Sequence, residues 1–153
     1  MNTSNEVYFS SLLKTDYPKV YRAIVDVLDR HSIKHGLLES TRDYWCRDYM
    51  PVQSGFHDYI QFVYHPDYLK KERQYETDST TVFDNAQALT GIAPTSSHLI
   101  ADGGNFTFCR SREGKPVIVM TEKIFAENPS CSREEVISEL RGLFHQTDII
   151  ILP

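Results

Sequence analysis

The order in which apolar patterns recur constrains this chain more than any other feature. Val20, Ile24, Val27 and Leu28 repeat on one helical face behind Pro18, a residue suited to a first helical turn. A second stripe, Val82, Phe83, Ala86 and Leu89, runs from Ser79 and stops at Gly91. A third follows the S-x-x-E capping box of Ser132 and Glu135, with Val136, Ile137, Leu140, Leu143 and Phe144 as its buried face. Strand patterns fall between them at 7–13, 36–39, 49–53, 59–65, 98–101, 106–110, 117–121 and 149–152, and residues 111–114 read as a hairpin turn. Residues 66–77, charged and tyrosine-rich, read as a surface loop of the kind that borders sites.

The helices begin about 50–60 residues apart. Helix, strand, acid, strand, strand occurs with Asp48 and again with Asp102; a third helix and strand then lead to Pro153. The third unit stops where its own functional residue is expected. A repeated α/β unit implies an array or propeller in which each unit covers its neighbour. The expectation is one α/β domain over 1–153, a partial propeller with repeats at roughly 7–65, 79–121 and 132–153.

A chain of 153 residues with 41% apolar content can bury a real core. Its net charge of −5 argues against nucleic acid and suits a cationic small molecule, although acidic domains also use charge for solubility. No apolar run approaches membrane-spanning length, and residues 1–5 lack the basic and apolar parts of a secretory signal. Three cysteines without a CxxC spacing suggest a reduced, cytoplasmic chain with no disulfide framework.

Two segments carry candidate chemistry. Trp45-Cys46-Arg47-Asp48-Tyr49-Met50-Pro51 offers a carboxylate and an aromatic face at one strand mouth. Together they suit a guanidinium, which is planar, cationic and forked. The plain alternative is a core tryptophan and an Arg47–Asp48 surface pair. Ala101-Asp102-Gly103-Gly104-Asn105-Phe106 places an acid before two glycines, which allow a turn or a close backbone approach. The plain alternative is an Asp-Gly hairpin turn. No metal-ligand spacing appears: His31 and His35 straddle the helix end.

In this order, and with Thr121-Glu122-Lys123-Ile124-Phe125-Ala126-Glu127-Asn128-Pro129 behind them, the motifs resemble the agmatine deiminase and Porphyromonas-type peptidylarginine deiminase branch of the guanidine-modifying (pentein) superfamily. The resemblance runs from about residue 7 to 153 and corresponds to the N-terminal portion of a member, about two and a half of its five repeats. It implies hydrolysis of agmatine or peptidyl arginine to a ureido product and ammonia, without cofactor. It implies that Asp48 binds guanidinium nitrogens, Trp45 lines the site, and Asp102 faces the catalytic histidine. Asn105 completes the DGGN pattern as a substrate-side residue, with Gly103 and Gly104 as its turn. No chemistry is assigned to Glu122 or Glu127.

The family's H-x-D motif and late nucleophilic cysteine have no counterpart in this sequence. Cys46 is expected to point away from Asp48 by strand alternation, and Cys46, Cys109 and Cys131 read as inert. The chain is therefore expected to be an N-terminal deiminase portion, inactive alone. The alternative is a non-catalytic guanidinium-binding or assembly module. Expected partners are a guanidine or an arginine side chain and a second copy or complementing C-terminal half, but neither nucleic acid nor membrane.

Overall fold

A computed structural model describes residues 6–55 and 57–153. The reading of residues 1–5 as lacking a signal lies outside them. The architecture is mixed α/β and rests, among the described residues, on three small sheets. The first pairs β1 (Glu6–Ser10) parallel to β2 (Lys34–Leu38), with Glu6 opposite Lys34 and Ser10 opposite Leu38. Parallel strands need a crossover, and α1 (Ser11–Asp16) and α2 (Pro18–Arg30) provide it.

A short helix, α3 (Cys46–Tyr49), leads to the second sheet. There β3 (Val52–Gly55) and β4 (Asp58–Val63) form an antiparallel hairpin. Helix α4 (Ser79–Thr90) then returns the chain to β5 (Thr95–Ile100), parallel to β4. The third sheet repeats this plan. β6 (Thr107–Arg110) and β7 (Pro116–Thr121) are antiparallel, α5 (Lys123–Glu127) and α6 (Arg133–Leu143) follow, and β8 (Asp148–Leu152) joins β7 in parallel.

The three sheets, with the helices inside them, span 6–38, 52–100 and 107–152. Each later unit starts with a hairpin and carries its helix in the middle. Periodicity reveals that a unit repeats but not where it begins. Only strand pairing sets that phase.

Local capping explains where the elements depart from the apolar pattern. The strand expected over 7–13 ends at Ser10, whose Oγ accepts the Leu12 N–H at 3.2 Å and starts α1. Ser10 is buried and also bonds Thr41 Oγ1 at 2.6 Å. The strand expected over 49–53 begins only at Val52. Asp43, also buried, accepts the N–H groups of Tyr44 and Trp45 at 2.5 and 3.2 Å and turns the chain into α3. Tyr49 is buried beneath that turn and donates its hydroxyl to the Asp43 carbonyl at 3.1 Å.

Helices α4 and α6 bury the expected stripes, centred on Val82 and Ala86 and on Val136 and Leu140. Helix α2 does not: Val20 and Val27 are exposed, and Ile24 and Leu28 are half-buried. Its sheet has only two strands of five residues, too small a surface to cover a 13-residue helix. The main core joins the second and third sheets to α5 and α6. Phe62 stacks on Phe106 at 4.9 Å between ring centres, and Phe144 packs against both. A smaller core of Leu38, Tyr49, Tyr64 and Val82 takes in Leu69 from the segment 66–77. That segment is therefore anchored, with Pro66, Leu69 and Thr77 buried.

Candidate functional site

The connections between sheets bring the two acidic motifs together. Asp48 lies on α3, in the link from the first sheet to the second. Asp102 lies in the link from the second to the third, just before a one-turn helix at Gly103–Asn105. This turn packs directly on α3. A Cβ at Gly103 would overlap the Arg47 carbonyl oxygen, and one at Gly104 would overlap Asp48 Oδ1. Gly103 is thus required by the approach of the two backbones and Gly104 by the Asp48 carboxylate lying against it, neither of them by a positive φ.

Arg47 ties the motifs from the other side. Its guanidinium donates to the Phe106 carbonyl at 2.7 Å. The surface pair with Asp48 that sequence proximity suggested gives way to this longer-range bond.

Asp48 is half-buried, and its carboxyl pKa is raised. Burial is the largest cause and the nearby charge of Asp102 the second, while the Gly104 N–H donated to the carboxylate works against them. The Asp102 side chain is only 7% exposed. One of its oxygens, Oδ2, accepts from Lys123 Nζ, and the other, Oδ1, is buried without a hydrogen-bond partner.

Lys123 begins α5 and faces three carboxylates. Besides Asp102 it lies 3.2 Å from Glu127, one turn along the helix, and 3.8 Å from Asp67. Its Nζ sits 5.5 Å from the Tyr68 ring centre. Burial alone would lower its pKa, but Asp102 and Glu127 outweigh burial and raise it. The Glu127 side chain is 5% exposed, and both of its oxygens lack hydrogen-bond partners, since the contact with Lys123 is an ion pair without hydrogen-bond geometry. Burial, and next the charge of Asp102, push the Glu127 pKa up.

Trp45 caps the start of α3 with 66% of its surface exposed, so its ring is not a core element. Asn105 Oδ1 accepts both the N–H and the hydroxyl of Thr121 at 2.9 Å, which braces the turn against β7. Its Nδ2 is buried and unpartnered. Cys46 is not turned away by strand alternation, because it sits on a helix; its thiol accepts from the Tyr49 hydroxyl at 3.1 Å, and burial raises its pKa. Cys109 is exposed on β6 and Cys131 half-buried before α6. Three histidines pair with acids elsewhere: His35 with Asp29, His65 with Glu76, and His98 with Glu139.

Among the described residues, no group of His, Cys, Asp and Glu could hold a metal ion, and no helix is long and apolar enough to cross a membrane. Open clefts of about 440, 340 and 450 Å³ surround Tyr8 and His35, Phe62 and Phe83, and His98 and Glu139; Asp48 and Asp102 line none of these three.

Sequence reasoning missed Lys123, Glu127, Asp67 and Tyr68. The signal for the first two was present as a Lys–Glu pair four residues apart, which shares one helix face. Nothing in the sequence pointed that pair at Asp102.

The chain matches the family described as Porphyromonas-type peptidyl-arginine deiminase over residues 16–153. It belongs to that family. Among solved structures, the agmatine deiminase of C. jejuni is similar with a TM-score of 0.65 and 16% identity, covering 97% of this chain and 53% of that one. A variant of the C. jejuni enzyme with substrate bound gives 0.64 and 14% identity over the same shares, 97% and 53%. A structure described as a candidate agmatine deiminase gives 0.58 and 16% identity over 95% of this chain and 40% of its own. Identities this low show the shared fold. The chain spans about half the length, or less, of these structures, 40–53%. No curated protein matches it.

Proposed function

We propose that Asp48 and Asp102 form the guanidinium-holding part of a guanidine deiminase, an enzyme that converts agmatine or peptidyl arginine to a ureido product and ammonia. One observation carries this reading. Two carboxylates from separate motifs are brought within electrostatic reach by a glycine turn that no side chain could share. A guanidinium offers five N–H donors in a plane, which two neighbouring carboxylates can share. Asp48 would take two guanidinium nitrogens, Trp45 would cover the plane from the solvent side, and Asp102 would orient the group that protonates the leaving amine. Asn105 would hold the DGGN turn on the substrate side.

Deimination also requires a thiolate nucleophile and a general acid. Cys46 is a raised-pKa thiol bonded to Tyr49, a poor nucleophile, and Cys109 and Cys131 belong to other parts of the fold. The 153-residue chain alone is accordingly proposed to bind but not to turn over, and it needs neither cofactor nor metal for that role. The repeated hairpin–helix–strand units fit consecutive blades of a pentein-type α/β propeller.

Calorimetry with agmatine tests the binding part. Affinity of about millimolar is expected, weakened further by Asp48→Asn. Micromolar binding that survives Asp48→Asn would place the site elsewhere. Product assays test the second part: citrulline or carbamoylputrescine formed by the purified chain, and abolished by replacing one of its cysteines, would refute it.

A second reading, an assembly module, is favoured by one observation. Strand β8 is an edge of its sheet, and its outward Ile150 and Leu152 are each 47% exposed. Such an edge favours pairing with a second copy or with a complementing chain.

A further inference from the structure

We infer that Lys123 is a tethered counter-cation that competes with a guanidinium ligand for the carboxylates of this site. The inference rests on the guanidinium reading of Asp48 and Asp102 and adds a specificity-determining residue to it.

The surroundings of Lys123 are those of a bound cation. Its ammonium touches Asp102, lies 3.2 Å from Glu127 and 3.8 Å from Asp67, and faces the Tyr68 ring. Carboxylates and an aromatic face are also the elements that recognise a guanidinium. The lysine therefore holds, from within the chain, the position that a cationic ligand would seek beside Asp102, within electrostatic reach of Asp48.

Lysine does not satisfy what surrounds it. Asp102 Oδ1 and both Glu127 oxygens are buried without a hydrogen-bond partner, on side chains 7% and 5% exposed. Buried acceptors left open are costly and mark a place for further donors. An ammonium has three donors converging on one nitrogen, whereas a guanidinium spreads five over a planar fork. A guanidinium could donate to the open oxygens to which this one ammonium makes no hydrogen bond. The Lys123 side chain is 31% exposed on a flexible four-carbon stem, so its head can swing to water when a ligand arrives. The native chain then binds guanidines weakly because each must first displace this internal cation.

Agmatine is titrated by calorimetry into the native chain, Lys123→Met and Lys19→Met. Lys123→Met retains an apolar stem without the charge, and Lys19 is itself exposed, on helix α2. Agmatine affinity is expected to rise roughly tenfold in Lys123→Met and to stay unchanged in Lys19→Met. Equal or weaker binding by Lys123→Met would overturn the inference, as would an equal gain in Lys19→Met, which would reveal only a net-charge effect. Should Lys123→Met fail to fold, the native chain still decides. With ¹⁵N-labelled lysine, the Lys123 Nζ resonance should move to the position of a solvent-exposed lysine as agmatine saturates. A stationary resonance at saturation would overturn displacement while leaving the guanidinium site standing. No agmatine binding by any form would overturn the guanidinium reading itself and this inference with it.

Discussion

Asp48 and Asp102 meet because Gly103 lets one backbone lie against another and Gly104 leaves room for the Asp48 carboxylate. Gly103 makes the sharper test, since its missing Cβ faces a carbonyl oxygen that has no rotamer to change. Gly103→Ala should cost about 1–3 kcal/mol, read from the shift of the urea midpoint. An unchanged midpoint would mean that the motifs separate at no cost. The acids also leave a pH signature. Burial raises the Glu127 pKa above its ordinary 4.5 and that of Asp48 above its ordinary 3.8. In the window above those ordinary values the native state holds protons that the unfolded chain has released, so these groups make stability fall as pH rises through it. Glu127→Gln should flatten that fall in urea titrations from about pH 4.5 upward. An identical slope would show that Glu127 titrates as it does unfolded. Asp48 and Asp102 were legible in the sequence because their motifs are contiguous. Lys123 and Glu127 were not, because what matters about them is their approach to Asp102, 21 positions before Lys123, which pairs with the lysine and repels the glutamate.

Elements that carry their own stop signals were the ones the sequence placed well. Helix α4 spans Ser79–Thr90 and ends on Gly91 at φ 71°, a conformation suited to glycine. Helix α6 starts at the capping box, in which Glu135 N–H donates to Ser132 Oγ at 3.2 Å and Ser132 N–H to the Glu135 carboxylate at 2.7 Å. Ser132→Ala should lower stability by about 1 kcal/mol without changing the fold, checked by denaturation and far-ultraviolet circular dichroism. No loss would mean that tertiary packing of Val136 and Leu140 alone fixes the helix start. The elements read wrongly, over 7–13 and 49–53, share one cause. A polar side chain, Ser10 or Asp43, captures backbone N–H groups and turns an apolar run out of the strand. Such capture depends on burial and on partners distant in sequence, such as Thr41 for Ser10, which a local apolar pattern does not contain.

Across the whole molecule, the recurrence of one α/β unit was visible in the sequence and its phase was not. Hairpin-first units place both candidate acids in the links between sheets, where neighbouring units meet. That placement lets residues distant in sequence assemble one charged centre. The same arrangement leaves β8 with a free edge and exposed Ile150 and Leu152. Light scattering is expected to show self-association that Ile150→Lys reduces, because a charge on an edge strand discourages pairing. A monomer at all usable concentrations would count against the assembly reading.

The claim that these links form a guanidinium site is tested most directly by following carboxyl carbons. With aspartate labelled at Cγ, agmatine is titrated into the native chain while the Asp48 and Asp102 resonances are observed. The account predicts that both shift together along a single binding curve with a midpoint of about millimolar, and that Asp48→Asn abolishes the Asp102 shift. Saturable agmatine binding that leaves both carboxyl resonances in place would contradict it.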